Sequence, residues 1–146
     1  MADETQKICL TRHAGVAELV ARYLGRADVR GHEIALYDLN GDVHDTIPVV
    51  AHLDADEARR LACKSGLVLY GVVPLHLAAL ARLVFAVEWD CAPPRGREMS
   101  AEWVLSHGRL VPYVVRPAAT CDVCGSADVE SVGEGVHCRA CGAYHD

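Results

Sequence analysis

The chain predicts an α/β body, with a mostly parallel sheet and flanking helices, followed by a small cysteine-built tail. Three features carry this reading. Short apolar runs alternate with amphipathic stretches from about residue 8 to residue 115. The turns between them are short and marked by glycine and proline, as connections within one compact domain are. The chain then closes on two Cys-x-x-Cys-Gly motifs.

Taken in order, Ile8-Cys9-Leu10 reads as the first strand, and Val16 to Leu24 repeats its apolar residues at helical spacing. Gly25 to Gly31 reads as a polar break. His32 to Tyr37 is a strand, closed by Asp38-Leu39-Asn40-Gly41-Asp42, whose residues favour a turn. Ile47 to Leu53 is a second apolar run, with Pro48 expected at a strand start or an edge, where its missing N–H costs no ladder bond. The second helix is signposted by Asp54 as its cap, Glu57 at the capping-box position and Gly66 as its stop. Leu67 to Tyr70 is a buried strand that runs into Gly71-Val72-Val73-Pro74, and Pro74 suits the first turn of a helix over Leu75 to Leu80. Leu83 to Val87 is another strand. A helix capped by Ser100 ends at Gly108, and Leu110 to Val115 is the last strand, placed at an edge by Pro112. This is a Rossmann-like order of elements over residues 1–117, with residues 118–146 as a separate unit. In such sheets ligands bind beyond the carboxyl ends of the strands.

A chain of 146 residues, 51% hydrophobic and 23% charged, is long enough to bury a core without staples. Its net charge of −6 is uneven: residues 1–117 carry 13 Lys+Arg against 15 Asp+Glu, and residues 118–146 carry one Arg against five acids. That balance argues against a polybasic surface for long DNA or RNA, while leaving room for a small nucleotide in a locally basic pocket. No apolar run approaches the roughly 20 residues of a membrane span, and the acidic start has no signal-peptide character, so a cytoplasmic protein is expected. Seven cysteines, an odd number, argue against a secreted disulfide framework. Cys9 and Cys63 are expected to be buried thiols acting as small hydrophobes.

The tail explains four of the seven. Cys121 and Cys124 form one pair, thirteen residues follow, and Cys138 and Cys141 form the second. Each pair offers two thiolates across a tight turn, and the glycine after it lets the backbone fold under the metal, so the spacing predicts a zinc ribbon. With four thiolates no position is left for a catalytic water, so the zinc is expected to be structural, and no catalytic metal is expected elsewhere. His137 and His145 are potential substitutes that a four-cysteine site does not need.

Two strand-to-helix turns stand out in the body. Thr11-Arg12-His13-Ala14-Gly15 brings together a fixed guanidinium, a titratable imidazole and the free N–H groups of a helix start, all suited to an anion. Gly71 to His76 repeats the combination of glycine and histidine at a helix start. The plainer readings are that Thr11 only caps its turn, that His76 is a packing histidine on an apolar helix, and that Arg95 is a solvated loop cation.

With these residues in hand, the body resembles, over about residues 8–115, a family of small CRISPR-associated accessory proteins of type III systems that look like ring nucleases. Arg12-His13-Ala14-Gly15 and Glu18 match an Arg-His-x-Gly pattern followed by Glu-Trp, with Leu19 in place of the tryptophan and Ala14 where proline is usual. Gly66 to Pro74 matches Gly-Asp-x-x-x-Gly-x-Leu-Pro in spacing, with Leu67 replacing the aspartate and Val72 a small polar residue. Arg95-Gly96-Arg97-Glu98-Met99-Ser100 is close to Arg-Gly-x-Glu-Leu-Ser. The stretch from about Gly25 to Val50 looks like an insertion, and the ribbon an addition. The resemblance implies degradation of cyclic oligoadenylate, cyclic tetra-adenylate foremost, by metal-independent attack of a ribose 2′-hydroxyl, leaving linear products with a 2′,3′-cyclic phosphate. His13 would be the acid/base, Arg12 would hold phosphate and His76 would be the other proton-transfer group. Thr11, Gly15, Gly71, Pro74, Arg95 and Gly96 would contact the ligand. A two-fold ring implies a homodimer.

Two other classes fit parts of the same pattern. A non-catalytic module that sequesters cyclic nucleotides, or a zinc-ribbon adaptor, accords with the acidic tail and the apolar Leu67 and Val72. A histidine phosphatase accords with arginine and histidine after the first strand, although Ala14 separates His13 from Gly15 and the body is short for that fold.

Overall fold

The structure, a computed structural model, describes residues 5–95, 99–116, 123–124, 129–133 and 135–145. The chain divides into two compact units, Met1–Val115 and Arg116–Asp146.

The first unit is a mixed α/β body. Its strands are β1 (Gln6–Leu10), β2 (Ala27–Arg30), β3 (Glu33–Tyr37), β4 (Val43–Val50), β5 (Leu67–Gly71), β6 (Leu83–Trp89) and β7 (Gly108–Tyr113). Its helices are α1 (Ala14–Leu24), α2 (Ala55–Lys64), α3 (Leu75–Ala78) and α4 (Ala101–His107). The seven strands form one sheet in the order β2-β3-β4-β1-β5-β6-β7. The four central strands, β4-β1-β5-β6, run parallel, while β2 and β3 join β4, and β7 joins β6, in antiparallel fashion. The expected mostly parallel sheet is therefore confined to the centre.

The antiparallel flank comes from the stretch read as a polar break. Ala27 and Val29 are half-buried while Asp28 and Arg30 face solvent, which is strand alternation in only four residues. Gly31, with φ at +59°, and His32 close a two-residue hairpin into β3, a connection too short for anything but antiparallel pairing. Asp38 then makes the expected turn: its carboxylate accepts from the Asn40 and Asp42 backbone N–H groups at 2.9 and 3.0 Å. Pro48 lies inside the sheet rather than at an edge. The Val49 N–H donates to His32 C=O on the β3 side, so Pro48 turns its ring towards β1, just before the parallel pairing begins at Val49. Pro112 does lie on an edge strand, opposite Phe85.

Period-two alternation divides the core between the two faces of the sheet. Ile8, Leu10, Leu67, Leu69 and Val84 pack with Ala58 of α2 and Leu77 of α3. Cys9, Val68 and Tyr70 pack on the other face with Val16, Leu19 and Val20 of α1 and Val104 of α4. Burial pushes the Cys9 thiol up to about 12, so it is an inert hydrophobe, as expected. Cys63 is instead exposed, because it sits one residue past the apolar stripe of Ala58, Leu61 and Ala62, a turn of about 100° towards solvent. Asp54 and Ser100 cap α2 and α4 with their side chains, whereas Pro74 stands at the N-cap of α3 and not within its first turn.

The second unit contains a three-stranded antiparallel sheet, β10-β9-β8, from β8 (Val129–Val132), β9 (Gly135–Cys138) and β10 (Tyr144–His145).

Candidate functional site

The parallel strands β1, β4, β5 and β6 end at Leu10, Val50, Gly71 and Trp89, and a cavity of about 350 Å³ opens beyond those ends. Three strand-to-helix turns supply its polar wall. The β1–α1 turn brings Thr11, Arg12 and His13, the β4–α2 turn brings His52, and the β5–α3 connection brings Pro74, with His76 following in α3. Leu53, Val72, Leu77, Trp89 and Met99 are among its apolar lining.

The β1–α1 turn is tightly fixed. The Thr11 N–H donates to Val50 C=O at 2.9 Å, tying the turn to β4. The buried Thr11 hydroxyl accepts from the His13 N–H at 3.0 Å and donates to His13 C=O at 3.3 Å. Thr11 therefore sets the backbone of His13, the N-cap residue of α1. Among the described residues no side chain caps α1, unlike α2 and α4, so apart from the Val16 N–H, which donates to His13 C=O, its first N–H groups keep their capacity for an anion. The His13 Nδ1 is buried without a hydrogen-bond partner among the described residues. Leaving such a group unsatisfied costs on the order of 1–3 kcal/mol, and functional sites are where such costs recur. Among the described residues no carboxylate pairs with Arg12, whose exposed guanidinium stands at the cavity rim.

Of the residues singled out in the sequence, Thr11, Arg12, His13, Pro74 and His76 share this cavity. Gly71 and Gly15 serve the framework around it. Gly71 has φ at +112°, and a Cβ there would lie 2.4 Å from Leu10 C=O, so its lack of a side chain lets β5 end hard against β1. Gly15 is buried in α1, where a Cβ would lie 2.8 Å from the Ala101 Cα, so it sets the approach of α4. Arg95 is exposed and does not line the cavity, while Gly96 falls outside the described residues. Leu67, at the family's aspartate position, is fully buried at the first residue of β5, the end of the strand away from the cavity. Val72 lines the cavity as an exposed apolar residue.

His52 is the residue that sequence reasoning missed. It follows the apolar run Ile47 to Ala51 and precedes the Asp54 cap by two residues, but no arginine or glycine accompanies it as Arg12 and Gly15 accompany His13. Only the parallel pairing of β4 with β1 shows that this turn opens onto the same cavity.

In the second unit, Cys124, Cys138 and Cys141 bring their sulfurs within 4.8 Å of one another, with Cys124 and Cys138 at 3.6 Å. Two thiolates on a tetrahedral zinc stand about 3.8 Å apart, so the three thiols could hold such an ion. The backbone supports them: the Cys141 N–H donates to the Cys138 Sγ at 3.4 Å, and Gly142, at φ +81°, returns its N–H to Cys138 C=O. Cys121 falls outside the described residues. His137 Nδ1 is held 2.9 Å from Glu130 Oε1 across the β8–β9 pair, an arrangement separate from the thiols.

No protein-family model, curated protein or solved structure matches the chain. The described residues include no helix long and apolar enough to cross a membrane.

Proposed function

We propose that the body is a Rossmann-like nucleotide-binding domain that opens cyclic oligoadenylate rings, the second messengers of type III CRISPR signalling. The observation that carries this reading is the convergence of three histidines and Arg12 on one cavity at the carboxyl ends of four parallel strands. In the reaction a ribose 2′-oxygen attacks the adjacent phosphorus and forms a 2′,3′-cyclic phosphate, and the bond to the 5′-oxygen breaks. A base must take the 2′-hydroxyl proton and an acid must protonate the leaving 5′-oxygen. His13 and His76 fill those roles, with Arg12 and the uncapped start of α1 stabilising the charged phosphorane oxygens. His52 is a third imidazole available to bind or position the ribose.

Cavity size bears on assembly. About 350 Å³ lies at the small end of the roughly 300–1,000 Å³ range of ligand pockets, which suits one nucleotide unit rather than a whole ring. A C2 homodimer would present two such turns to a two-fold symmetric ligand, foremost cyclic tetra-adenylate.

The test is incubation of purified protein with cyclic tri-, tetra- and hexa-adenylate, without added divalent metal, read by liquid chromatography. Conversion of one ring to linear products is the expected result. Retention of an intact ring on the protein would replace the enzyme by a sequestering module, and a phosphate trapped covalently on His13 would favour the phosphatase class. No binding at all would leave the adaptor role.

The tail is a zinc ribbon in this reading, with Cys121 completing the set of Cys124, Cys138 and Cys141, and the zinc is structural. So small a unit has little core, and zinc binding in comparable peptides contributes on the order of 10 kcal/mol. Stripping the metal with a strong chelator is therefore expected to abolish amide protection in β8–β10 while amides of β1 and β5 remain protected. Hydrogen exchange resolves the two, and unchanged protection in the tail would show that the ribbon does not depend on metal. The overall picture is of a cytoplasmic enzyme.

A further inference from the structure

The first unit holds a second group of metal-ligating side chains, Asp90, Cys91 and His107, which the ring-opening chemistry does not use. Asp90 and Cys91 directly follow β6, and His107 is the last residue of α4, directly before β7. The β6–β7 ladder brings the two ends together: Trp89 pairs with Gly108, and the Asp90 N–H donates to His107 C=O at 2.9 Å. The His107 ring is steadied by Trp103 one helical turn earlier, their centroids 4.8 Å apart. The three ligand atoms lie within 4.8 Å of one another.

Both partners of the imidazole address the same nitrogen. His107 Nδ1 lies 2.8 Å from Asp90 Oδ1 and 3.6 Å from Cys91 Sγ. That convergence decides between two uses of a Cys-His-Asp group. A nucleophilic triad needs thiol and carboxylate on opposite ring nitrogens, so that one nitrogen takes the proton while the carboxylate orients the other. Chelation needs the opposite arrangement, with all three donors around one point. In tetrahedral zinc geometry, sulfur and nitrogen ligands stand about 3.6 Å apart and nitrogen and oxygen about 3.3 Å. The first separation matches the one observed, and the second requires the carboxylate to withdraw by about 0.5 Å as metal replaces the shared proton. The side chains of Asp90 and His107 are 63% and 36% exposed, so that movement is unobstructed by packing and a cation can enter from solvent.

We infer that Asp90, Cys91 and His107 form a second, three-ligand site for a borderline-soft divalent cation of the zinc class, separate from the tail thiols. Sulfur, imidazole and one carboxylate are a zinc donor set, and three protein ligands leave the fourth position to water. None of the three lines the cavity, but Trp89, the residue before Asp90, does. A bound ion would fasten the end of β6 to the end of α4 and so brace that wall. The inference does not depend on the ring-opening proposal.

The full chain, freed of metal under reducing conditions, is titrated with Co²⁺ and, in parallel, equilibrated with micromolar free Zn²⁺ before metal is counted per chain. Wild type is expected to retain one more equivalent than Cys91→Ser, with His107→Ala matching Cys91→Ser. Because this site has one thiolate against the tail's four, its cobalt equivalent should show about a quarter of the thiolate charge-transfer intensity per metal. Cys91→Ser is nearly isosteric at an exposed position, and its thermal unfolding serves as the check that the fold is intact. Equal metal content in wild type and Cys91→Ser, whether one equivalent or none, would overturn the inference.

Discussion

His13→Ala is expected to slow ring opening by about 10²–10⁴-fold, the usual contribution of one positioned acid or base. The substitution removes an imidazole whose backbone is clamped by Thr11 through its own N–H and C=O. The clamp is made by the main chain of residue 13, so alanine keeps the turn and the start of α1. Stability should change little: removing the buried Nδ1, which has no partner among the described residues, is worth about 1 kcal/mol in alanine's favour. The measurement is a single-turnover rate with ligand affinity determined alongside. A lost rate with affinity kept assigns proton transfer to His13. Equal loss of both would make it a binding residue, and an unchanged rate would move the chemistry to His52 or His76. Arg12→Ala is the contrasting variant, expected to weaken binding as well as rate because a guanidinium holds phosphate in the ground state and the transition state alike.

Gly71→Ala should be the most damaging single methyl in the body. A Cβ at this position would meet Leu10 C=O at 2.4 Å, and the backbone there, at φ +112°, is one that L-residues rarely adopt. Backbone strain of about 1–3 kcal/mol and overpacking of a similar size give a loss of roughly 4 kcal/mol. For a unit of this size that is a fall in Tm of about 15 °C. The atoms cannot separate cheaply, because the Val72 N–H donates to the same Leu10 C=O and β1 and β5 pair along their whole length. Gly41→Ala is the control, since that glycine also has positive φ but nothing lies within 4 Å of its added Cβ. It should cost only about 1–2 kcal/mol. Comparable losses in the two variants would show that the β1–β5 contact at Leu10 tolerates adjustment.

Much of the body was legible because its local signals are strong. Asp54 and Ser100 cap helices where the sequence places them, Asp38 closes its turn, and Leu67 to Tyr70 is buried as a continuous apolar run should be. The errors occurred where a local rule had two solutions. Ala27 to Arg30 has enough charge to read as a break, yet Ala27 and Val29 suffice for a short strand once β3 lies beside it. Pro48 is excluded from most interior strands, but β4 pairs with β1 only from Val49 onwards, so the missing N–H has no ladder bond to lose. Cys63 lies next to apolar residues in sequence, and only the helix direction turns it outward.

The candidate site divides in the same way. Arg12, His13 and His76 could be picked out from their places after apolar runs, and the paired cysteines from their spacing, because those signals are local in the chain. His52 and the Asp90–Cys91–His107 group could not. Their meaning depends on which strands pair: β4 beside β1 brings His52 to the cavity, and β6 beside β7 closes a 16-residue separation to 3.6 Å between Cys91 and His107. Residue chemistry and helix and turn signals are carried by a few neighbouring side chains. Convergence of distant groups is set by strand order, which arises from burying both faces of one sheet at once.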